Sequence, residues 1–375
     1  MELRRSDDKG RMHGRRNSIV TLEYEKESTG LKPSAFFAYL FRKKHIYMFG
    51  GKIFFYKNFC KGGLKHFQKD KKYVTIGEYN HLNTKNRFLD YSAYTQEKNF
   101  SFAKNSSIGC GGVAKIAFCP KSLAELTSLI DRLKKDEIDY YVLGNLTNVL
   151  PPDGDTNRAI IRTKNLNGIA FTESGAFVYA GANSGAFLSA CRREKKSGAE
   201  FLYGVPCTLG GALYMNAGAG GVYIDEIVES VLVLRDGQKL LLKKTDCDYA
   251  YKHSAFMENG DVILGAALRL KNASEEEISA NEKHYAERRK HLPKGRSMGC
   301  VFKNPNNASA GELIEKSGFK GMRIGGAVVS HEHANFIIND NGATAGQIRS
   351  LITIIKNGVW AQYGVHLEEE IRYLE

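Results

Sequence analysis

The sequence has 375 residues, which is enough to bury a sizeable core and to form two or three domains. Hydrophobic residues make up 42% and charged residues 25%, as in an ordinary soluble globular protein, and no apolar run of about 18 residues predicts a membrane span. The formal net charge of +13 favours an anionic partner. Seven scattered cysteines without a C-x-x-C pair argue against a structural zinc site and suit a reducing cytoplasm.

A basic and aromatic extension, residues 1–95, precedes the regular part of the chain. Residues 1–30 are too polar for a secretory signal and are predicted to be disordered. Gly50-Gly51 lies between two aromatic runs and indicates a hairpin. We favour a small structural extension or a misassigned gene start, and we expect no nucleic-acid partner. The alternative is that this segment lies on a membrane or binds nucleic acid.

From residue 96 the pattern becomes regular. Lys115–Cys119 is predicted as a strand, and Ser122 and Glu125 form a capping box that opens the helix Leu123–Lys135. Tyr140–Leu143 completes a β-α-β unit and runs into a glycine loop. Further strands are predicted at Ala159–Arg162, Phe177–Ala180, Val228–Leu234 and Val262–Leu270, with a helix at Ala186–Arg193.

The last hundred residues show a second set of elements that begins with a charged helix. Helices are predicted at Asn281–His291, Gly311–Ser317 and Ala345–Tyr363, and strands at Ala334–Asn339 and Leu367–Tyr373. His331 and His333 directly precede the strand Ala334–Asn339, but no third ligand has suitable spacing, so we predict no metal site.

The densest glycine pattern in the chain is the stretch 197–221, which is almost uncharged after Glu200. Glycine lets backbone N–H groups approach an anion closely, and Thr208 and Asn216 add side-chain donors suited to phosphate or to a heterocycle edge. The alternative is a turn-rich loop in a β-rich core. Two other stretches, 142–150 and 297–305, share this mixture of glycine and small polar residues.

Four side chains in the second half of the chain suggest acid–base or anion-binding chemistry. Cys300 follows a glycine, and a thiol can donate a proton near neutral pH, although an unaligned cysteine is more often a small buried hydrophobe. Lys303 and Asn304 can hold an anionic sugar nucleotide or form a solvated turn. Lys252 can bind a carboxylate or be an ordinary surface lysine.

Taken together, these motifs resemble those of the UDP-N-acetylenolpyruvoylglucosamine reductases of bacterial cell-wall synthesis. The resemblance extends from about Phe100 to Glu375, with the motifs in the family order. The motif segments are Leu143–Asn148, Gly204–Gly211, Asn216–Gly221, Tyr251–Ser254, Gly299–Pro305 and Leu367–Arg372. The resemblance implies an α+β fold: a two-subdomain FAD-binding module like that of vanillyl-alcohol oxidase at 96–271, split near residue 164, and an α+β substrate-binding domain at 272–375.

The resemblance also implies a reaction. Hydride passes from NADPH to bound FAD and then to the enolpyruvyl double bond of UDP-N-acetylglucosamine enolpyruvate, forming UDP-N-acetylmuramate for peptidoglycan. By motif position Cys300 is the proton donor, Glu370 assists it, and Lys252 meets the substrate carboxylate. The implied cofactor residues are Gly144, Asn145, Thr147, Asn148, Val149, Gly204, Pro206, Thr208, Leu209, Gly210, Gly211, Asn216, Ala217, Gly218 and Ala219. The implied substrate residues are Tyr251, Lys303, Asn304 and Asn335.

This chain departs from the family motifs at several positions. Leu146 and Cys207 replace glycines, Gly220 replaces a tyrosine, Lys252 an arginine and Cys300 a serine. We expect the side chains of Leu146 and Cys207 to lie where backbone approaches the FAD pyrophosphate. These departures leave a second hypothesis, a paralogue that binds flavin or UDP-sugar without reducing it. The preference for NADPH over NADH and the oligomeric state stay open.

Overall fold

A computed structural model describes residues 91–374, and the hairpin predicted at Gly50-Gly51 lies outside this range. The first element group is a sheet with strand order β1-β2-β5-β3, in which β1 is antiparallel to β2 and the other pairs are parallel. Its parts are β1 (Gln96–Ser101), α1 (Phe102–Asn105), β2 (Val113–Phe118), α2 (Leu123–Lys135), β3 (Tyr140–Leu143), β4 (Val149–Leu150), β5 (Ala159–Arg162) and the 3-10 turn Thr163–Asn165.

Helix α2 covers one face of this sheet because its apolar residues recur every three or four positions. Leu126, Leu129, Ile130 and Leu133 are buried against the strands. The predicted capping box is half present. Ser122 accepts from the Glu125 amide at 3.1 Å, whereas the Glu125 carboxylate accepts from the amides of Thr95 and Lys121 instead of returning to Ser122.

The second element group is an antiparallel five-stranded sheet with the order β12-β11-β13-β7-β6. It contains β6 (Ile169–Phe171), β7 (Gly175–Tyr179), β11 (Val228–Arg235), β12 (Gln238–Lys243) and β13 (Val262–Arg269). Around it lie α3 (Ser184–Arg193), β8 (Lys196–Ser197), α4 (Leu209–Met215), β9 (Gly218–Ala219), β10 (Val222–Tyr223), β14 (Lys271–Asn272) and 3-10 turns at Glu200–Leu202, Ile224–Glu226, Lys244–Cys247 and Ala255–Met257. Helices α3 and α4 supply Phe187 and Leu213 to the core of this sheet.

The third element group surrounds a small antiparallel sheet of β15, β16 and β17, on which the long helix α7 packs through Ile348, Leu351 and Ile355. Helix α5 (Glu275–Arg289) precedes this group in the chain and packs on the second group beside the 3-10 turn Glu200–Leu202. The parts of the third group are α6 (Ala310–Lys316), β15 (Arg323–Ile324), β16 (Ala327–Val329), β17 (Ile337–Asn339), α7 (Ala345–Tyr363) and β18 (Arg372–Tyr373). Strand β18 runs parallel to β4, so the end of the chain joins the first group.

The limits near residues 164 and 272 stay a prediction, because the apolar clusters cross them. The cluster around α2 includes Leu234, Val262 and Leu264 from β11 and β13, and the cluster around α7 includes Ile108 and Leu150. The first element group includes Tyr91, five residues before the predicted start at residue 96. The Tyr91 ring centroid lies 5.4 Å from that of Phe118, and the Tyr91 hydroxyl donates to Asp136 at 2.8 Å. Across residues 91–374, no helix is both long enough and apolar enough to cross a membrane.

Local sequence signals predicted several elements to the residue, but not all. The helix at Ala345–Tyr363 has the predicted limits. In contrast, Leu367–Tyr373 is a strand only at Arg372–Tyr373, and the strand predicted from Ala334 begins at Ile337. The charged helix begins at Glu275, six residues before the prediction, because the Ser274 hydroxyl accepts from the Glu277 amide and caps it there.

Candidate active site

Two glycine loops lie against each other between the first two element groups. The first loop is residues 143–148, and the second is residues 204–221. Asn145 Nδ2, in the loop after β3, donates to the Pro206 carbonyl at 3.3 Å. A Cβ atom at Gly144 would overlap the Thr208 hydroxyl, and one at Gly210 would come 3.0 Å from the Ala180 Cβ. Glycine at 144 therefore lets the two loops meet, whereas glycine at 210 lets α4 pack closely on Ala180 at the end of β7.

The second loop contains a helix that the sequence did not predict. Thr208 Oγ1 accepts from the Gly211 amide at 3.3 Å and caps α4, which ends at Asn216 in the left-handed region with φ 42°. The Asn216 side chain donates through Nδ2 to the Ala250 carbonyl at 2.9 Å, and its Oδ1 accepts from the Asp225 backbone N–H at 3.2 Å. Since these polar atoms have partners within the chain, we propose that Thr208 and Asn216 shape the loop.

The backbone N–H groups of α4 are also used inside the protein. The amides of Leu209 and Gly210 donate to the Ala182 and Ala180 carbonyls at 2.8 Å each. The segment Gly218–Ala219 forms the hairpin strand β9 beside β10, and the Ala217 amide donates to the Ala212 carbonyl. We therefore propose that this second loop contributes shape and close approach to the cofactor, with few of its own donors.

The first loop has the free donors. Within the described part of the chain, the amides of Asn145, Leu146, Thr147 and Asn148 reach no acceptor. Leu146 has φ 52°, and a left-handed residue within such a run turns successive N–H groups toward one point and so forms an anion-binding nest. These donors fit a dinucleotide diphosphate.

The expectation for Leu146 is wrong. Its side chain is 3% exposed and packs with Phe100, Phe102 and Ile160 in the core of the first group, away from the loop surface. Cys207 is partly buried at the second loop, and it is not among the described residues with positive φ. Burial raises the pKa of the Cys207 thiol to about 11, although a hydrogen bond with Ser184 opposes the rise.

Lys252 and Glu370, which are distant in sequence, form an ion pair at the edge of these loops. Lys252 Nζ lies 2.8 Å from Glu370 Oε1, and the two side chains are 16% and 14% exposed. Burial lowers the pKa of Lys252, but the charge and hydrogen bond of Glu370 outweigh it and leave that pKa above its usual value. Lys252 itself has φ 54°, so the tight turn at this position directs its side chain.

Cys300 joins this pair. Backbone bonds hold the segment: the Val301 amide donates to the Asn335 carbonyl at 2.8 Å, and the Glu370 amide donates to the Val301 carbonyl at 2.8 Å. Burial raises the pKa of the Cys300 thiol to about 12; Glu370 adds to the rise, whereas Lys252 and Arg289 oppose it. The thiol is therefore fully protonated at neutral pH, beside one carboxylate and two cations.

The predicted substrate residues fall into two groups. Tyr251 is exposed, and its hydroxyl accepts from the Asn304 amide at 3.2 Å. Lys303 Nζ pairs with Glu368 at 2.6 Å, while the Asn304 side-chain oxygen accepts from the Ala310 amide at 3.0 Å. These three residues line one edge of the Cys300 segment, where a ligand can reach them.

Asn335 differs because it is buried. Its Oδ1 accepts from the Phe302 amide at 2.9 Å, and its Nδ2 donates to the Phe302 carbonyl at 2.8 Å. Both polar ends of the side chain are thus committed to the backbone two residues after Cys300. We propose that Asn335 positions the Cys300 segment instead of binding substrate directly.

Comparisons with known proteins agree with this arrangement. A family model described as an FAD binding domain matches residues 114–241, and one described as the C-terminal domain of UDP-N-acetylenolpyruvoylglucosamine reductase matches residues 290–374. The reductase of that name from Caldicellulosiruptor bescii is 37% identical over 302 residues, covering 76% of this chain and 95% of the relative. The chain belongs to the UDP-N-acetylenolpyruvoylglucosamine reductase family.

Other reductases of the family extend the comparison. The Clostridioides difficile relative is 34% identical over 275 residues, covering 72% of this chain and 90% of its own. The crystal structure of the Thermus caldophilus reductase superposes with a TM-score of 0.65 at 30% identity, covering 75% of this chain and 99% of that one. The resemblance inferred from the motifs and the α+β class with an FAD-binding module are confirmed.

The structure explains the departure at Gly220, where the reductase family motif has tyrosine. Gly220 has φ 68°, and a Cβ atom there would lie 3.3 Å from Arg288 Nε and 3.4 Å from Tyr285 Cε1. The last turn of α5 therefore fills the space beside this glycine. Arg288 and Tyr285 lie in a charged helix without any family motif, so the sequence offered no signal for their position.

Sequence reasoning missed two features of the site. Asn148, assigned to the cofactor by its motif, donates through Nδ2 to the Glu370 carbonyl at 3.1 Å. Arg289, at the end of α5, lies close enough to Cys300 and Cys207 to affect the pKa values of both thiols. The position of Arg289 shortly before the Cys300 motif could have marked it as a site residue. Its neighbours Arg288 and Lys290 are also basic, so the sequence did not show which of the three faces the site.

Proposed function

We propose that this protein reduces UDP-N-acetylglucosamine enolpyruvate to UDP-N-acetylmuramate, using FAD as the bound cofactor and NADPH as the hydride source. The observation that carries the proposal is the gathering of Lys252, Cys300 and Glu370, from three separate motifs, into one partly buried cluster. The FAD-binding match over 114–241 and the names of the relatives support the same reaction.

In this proposal the two glycine loops hold FAD, which accepts and delivers hydride when bound. The free amides of residues 145–148 bind its diphosphate, and Gly144 lets the loops close around it. Val149, in β4, pairs with Arg372 in β18. Because that pairing places the loop beside the Glu370 segment, the same backbone that orients the cofactor also orients the acid–base cluster.

Cys300 supplies the proton. Its raised pKa keeps the thiol protonated in the resting protein, so a proton is available when the enolpyruvyl carbon gains negative charge. Lys252 and Arg289 stabilise the thiolate as the proton leaves, because both cations already oppose the rise in its pKa. Glu370 holds Lys252 through the 2.8 Å ion pair, and Lys303, Asn304 and Tyr251 offer donors to the UDP-sugar.

We also propose a cytoplasmic site of action. All six cysteines in the range 91–374 are free thiols, and four of them are buried, which suits a reducing compartment. A UDP-sugar substrate also favours the cytoplasm, because the substrate must be present where nucleotides are supplied. The basic extension before residue 91 is assigned no part in the reaction.

The deciding experiment is an anaerobic absorbance titration of the purified protein. NADPH should bleach a bound flavin, and UDP-N-acetylglucosamine enolpyruvate should then restore its absorbance with formation of UDP-N-acetylmuramate. Bleaching that the enolpyruvate does not reverse would favour the paralogue that binds without turnover. Failure to take up FAD even on reconstitution would refute the reductase proposal.

A further inference from the structure

Arg289 occupies an unusual position for a basic residue at a helix end. Its Nε lies 3.0 Å, and its Cδ 3.2 Å, from where a Cβ atom on Gly204 would be. Gly204 has φ 71° and begins the second glycine loop. The arginine side chain therefore lies against the backbone of the second glycine loop, and its helix α5 packs on the second element group beside the 3-10 turn Glu200–Leu202.

Arg289 also differs from the other cations near the site in having no acidic partner. Lys252 pairs with Glu370, and Lys303 pairs with Glu368. Across residues 91–374, the Arg289 guanidinium makes no ion pair and donates no hydrogen bond, although it is only partly exposed. Burial lowers its pKa, yet an arginine stays charged at any ordinary pH. A half-buried cation without a partner is expected to meet an anion supplied from outside the chain.

The surroundings of Arg289 place that anion at the reacting end of the site. Its charge lowers the pKa of the Cys300 thiol, the proposed proton donor, and that of the Cys207 thiol in the second glycine loop. The free amides of the first loop already provide for the cofactor diphosphate. We therefore assign the anion beside Cys300 to the carboxylate of the enolpyruvyl group, which Cys300 protonates, and not to the cofactor diphosphate.

We propose that Arg289 binds the enolpyruvyl carboxylate of the substrate, in the role that motif position assigns to Lys252. Lys252 presents one ammonium group, and that group is already neutralised by Glu370 at 2.8 Å. Arg289 presents a planar fork that matches a carboxylate with two parallel hydrogen bonds. This inference rests on the proposed function, and it makes Lys252 chiefly the partner of Glu370.

The test compares two ligands that differ in the carboxylate: UDP-N-acetylglucosamine enolpyruvate and UDP-N-acetylglucosamine itself. Titration calorimetry on the FAD-loaded protein should show Arg289→Gln weakening the enolpyruvate about 10- to 100-fold, as expected for a charged hydrogen-bonded pair. Binding of the ligand without a carboxylate should change by less than about twofold. Arg289→Lys should fall between Gln and the parent because it keeps the charge and loses the fork.

Arg288→Gln is the matched control, since Arg288 is the neighbouring arginine and lies over Gly220 instead of Gly204. It should bind both ligands as the parent does. Equal weakening of both ligands by Arg289→Gln would assign the residue to the UDP diphosphate, and loss of FAD would assign it to the cofactor. Either result, or no change at all, overturns the proposal.

The same titration separates this inference from the proposed function. A parent that binds the enolpyruvate more tightly than UDP-N-acetylglucosamine but never reduces it would refute the reductase activity and still allow the Arg289 comparison. A parent that binds neither ligand would overturn both.

Discussion

Asn148 Nδ2 donates a hydrogen bond to the backbone carbonyl of Glu370 at 3.1 Å, across 222 residues of sequence. In return, the Arg372 amide donates to the Asn148 carbonyl at 2.9 Å. One residue of the proposed flavin loop thus fixes the backbone of the carboxylate that pairs with Lys252. The two halves of the site are joined by one side-chain and one main-chain hydrogen bond, so a change in one loop alters the position of the other.

Asn148→Ala should therefore slow reoxidation of the reduced flavin by the enolpyruvate about tenfold while NADPH bleaching keeps its rate. The reason is that the variant loses the bond that positions Glu370, and a misplacement of about 1 Å near reacting groups can cost this much or more. Stopped-flow absorbance measures the two half-reactions separately. The control is Asn165→Ala, which removes a similar 2.9 Å bond to the Cys119 carbonyl far from the cluster. If both half-reactions slow equally, Asn148 serves the cofactor alone.

Cys300→Ala should lower the reoxidation rate about 10²- to 10⁴-fold, the range for loss of a general acid. Cys300→Ser, which restores the family residue, should retain most of the rate. Reduction by NADPH should not change in either variant, because the proton donor acts only when the substrate is reduced. The measurement is single-turnover reoxidation under anaerobic conditions. An alanine variant within threefold of the parent would remove Cys300 from the mechanism.

The raised pKa of Cys300 predicts its reactivity toward iodoacetamide. At pH 8 a thiol of pKa about 12 is roughly 10³-fold less ionised than a reference thiol, so its alkylation should be slower by a similar factor and should rise steeply toward pH 12. Glu370→Gln should accelerate the reaction, because it removes the carboxylate that raises this pKa and leaves Lys252 unpaired. Peptide mass spectrometry of the Cys300 peptide measures the rate across pH.

Glu369→Gln is the matched control for that experiment. Glu369 is the neighbouring carboxylate, but it pairs with Lys356 at 2.6 Å and has no part in the pKa of Cys300. Its substitution should leave the alkylation rate unchanged. Equal acceleration by both variants would show a general loosening of the terminal segment, and the electrostatic explanation would then be wrong.

Substitutions at Leu146 should reveal the conflict between its packing and its backbone. Leu146→Ala loses about 2–5 kcal/mol of buried packing and keeps a residue with a Cβ atom at φ 52°. Leu146→Gly loses slightly more packing but relieves the left-handed strain of about 1 kcal/mol. The glycine variant should therefore be at least as stable as the alanine variant in urea unfolding, the reverse of the usual order. An alanine variant more stable by about 1 kcal/mol would mean that Leu146 is unstrained.

The sequence by itself determined those features that depend on neighbouring residues. Apolar spacing and the Ser122 cap predicted both ends of the helix Leu123–Lys135. The short motifs that contain Cys300 and Glu370 occur in the family order, and they indicated the family. It missed α4, because glycine at 210 and 211 argues against a helix unless the Thr208 cap and the packing of Leu213 offset that preference.

The tertiary structure decided everything that depends on residues far apart in the chain. Only the fold shows that Leu146 points into the core, that Lys252 is neutralised by Glu370, and that Arg289 is left unpaired beside Cys300 within the described residues. The physical reason is that burial and charge pairing depend on which residues surround a side chain in the folded protein. Local propensity acts over a few residues, whereas Lys252 and Glu370, which both act on the pKa of Cys300, are brought together by packing from more than a hundred residues apart.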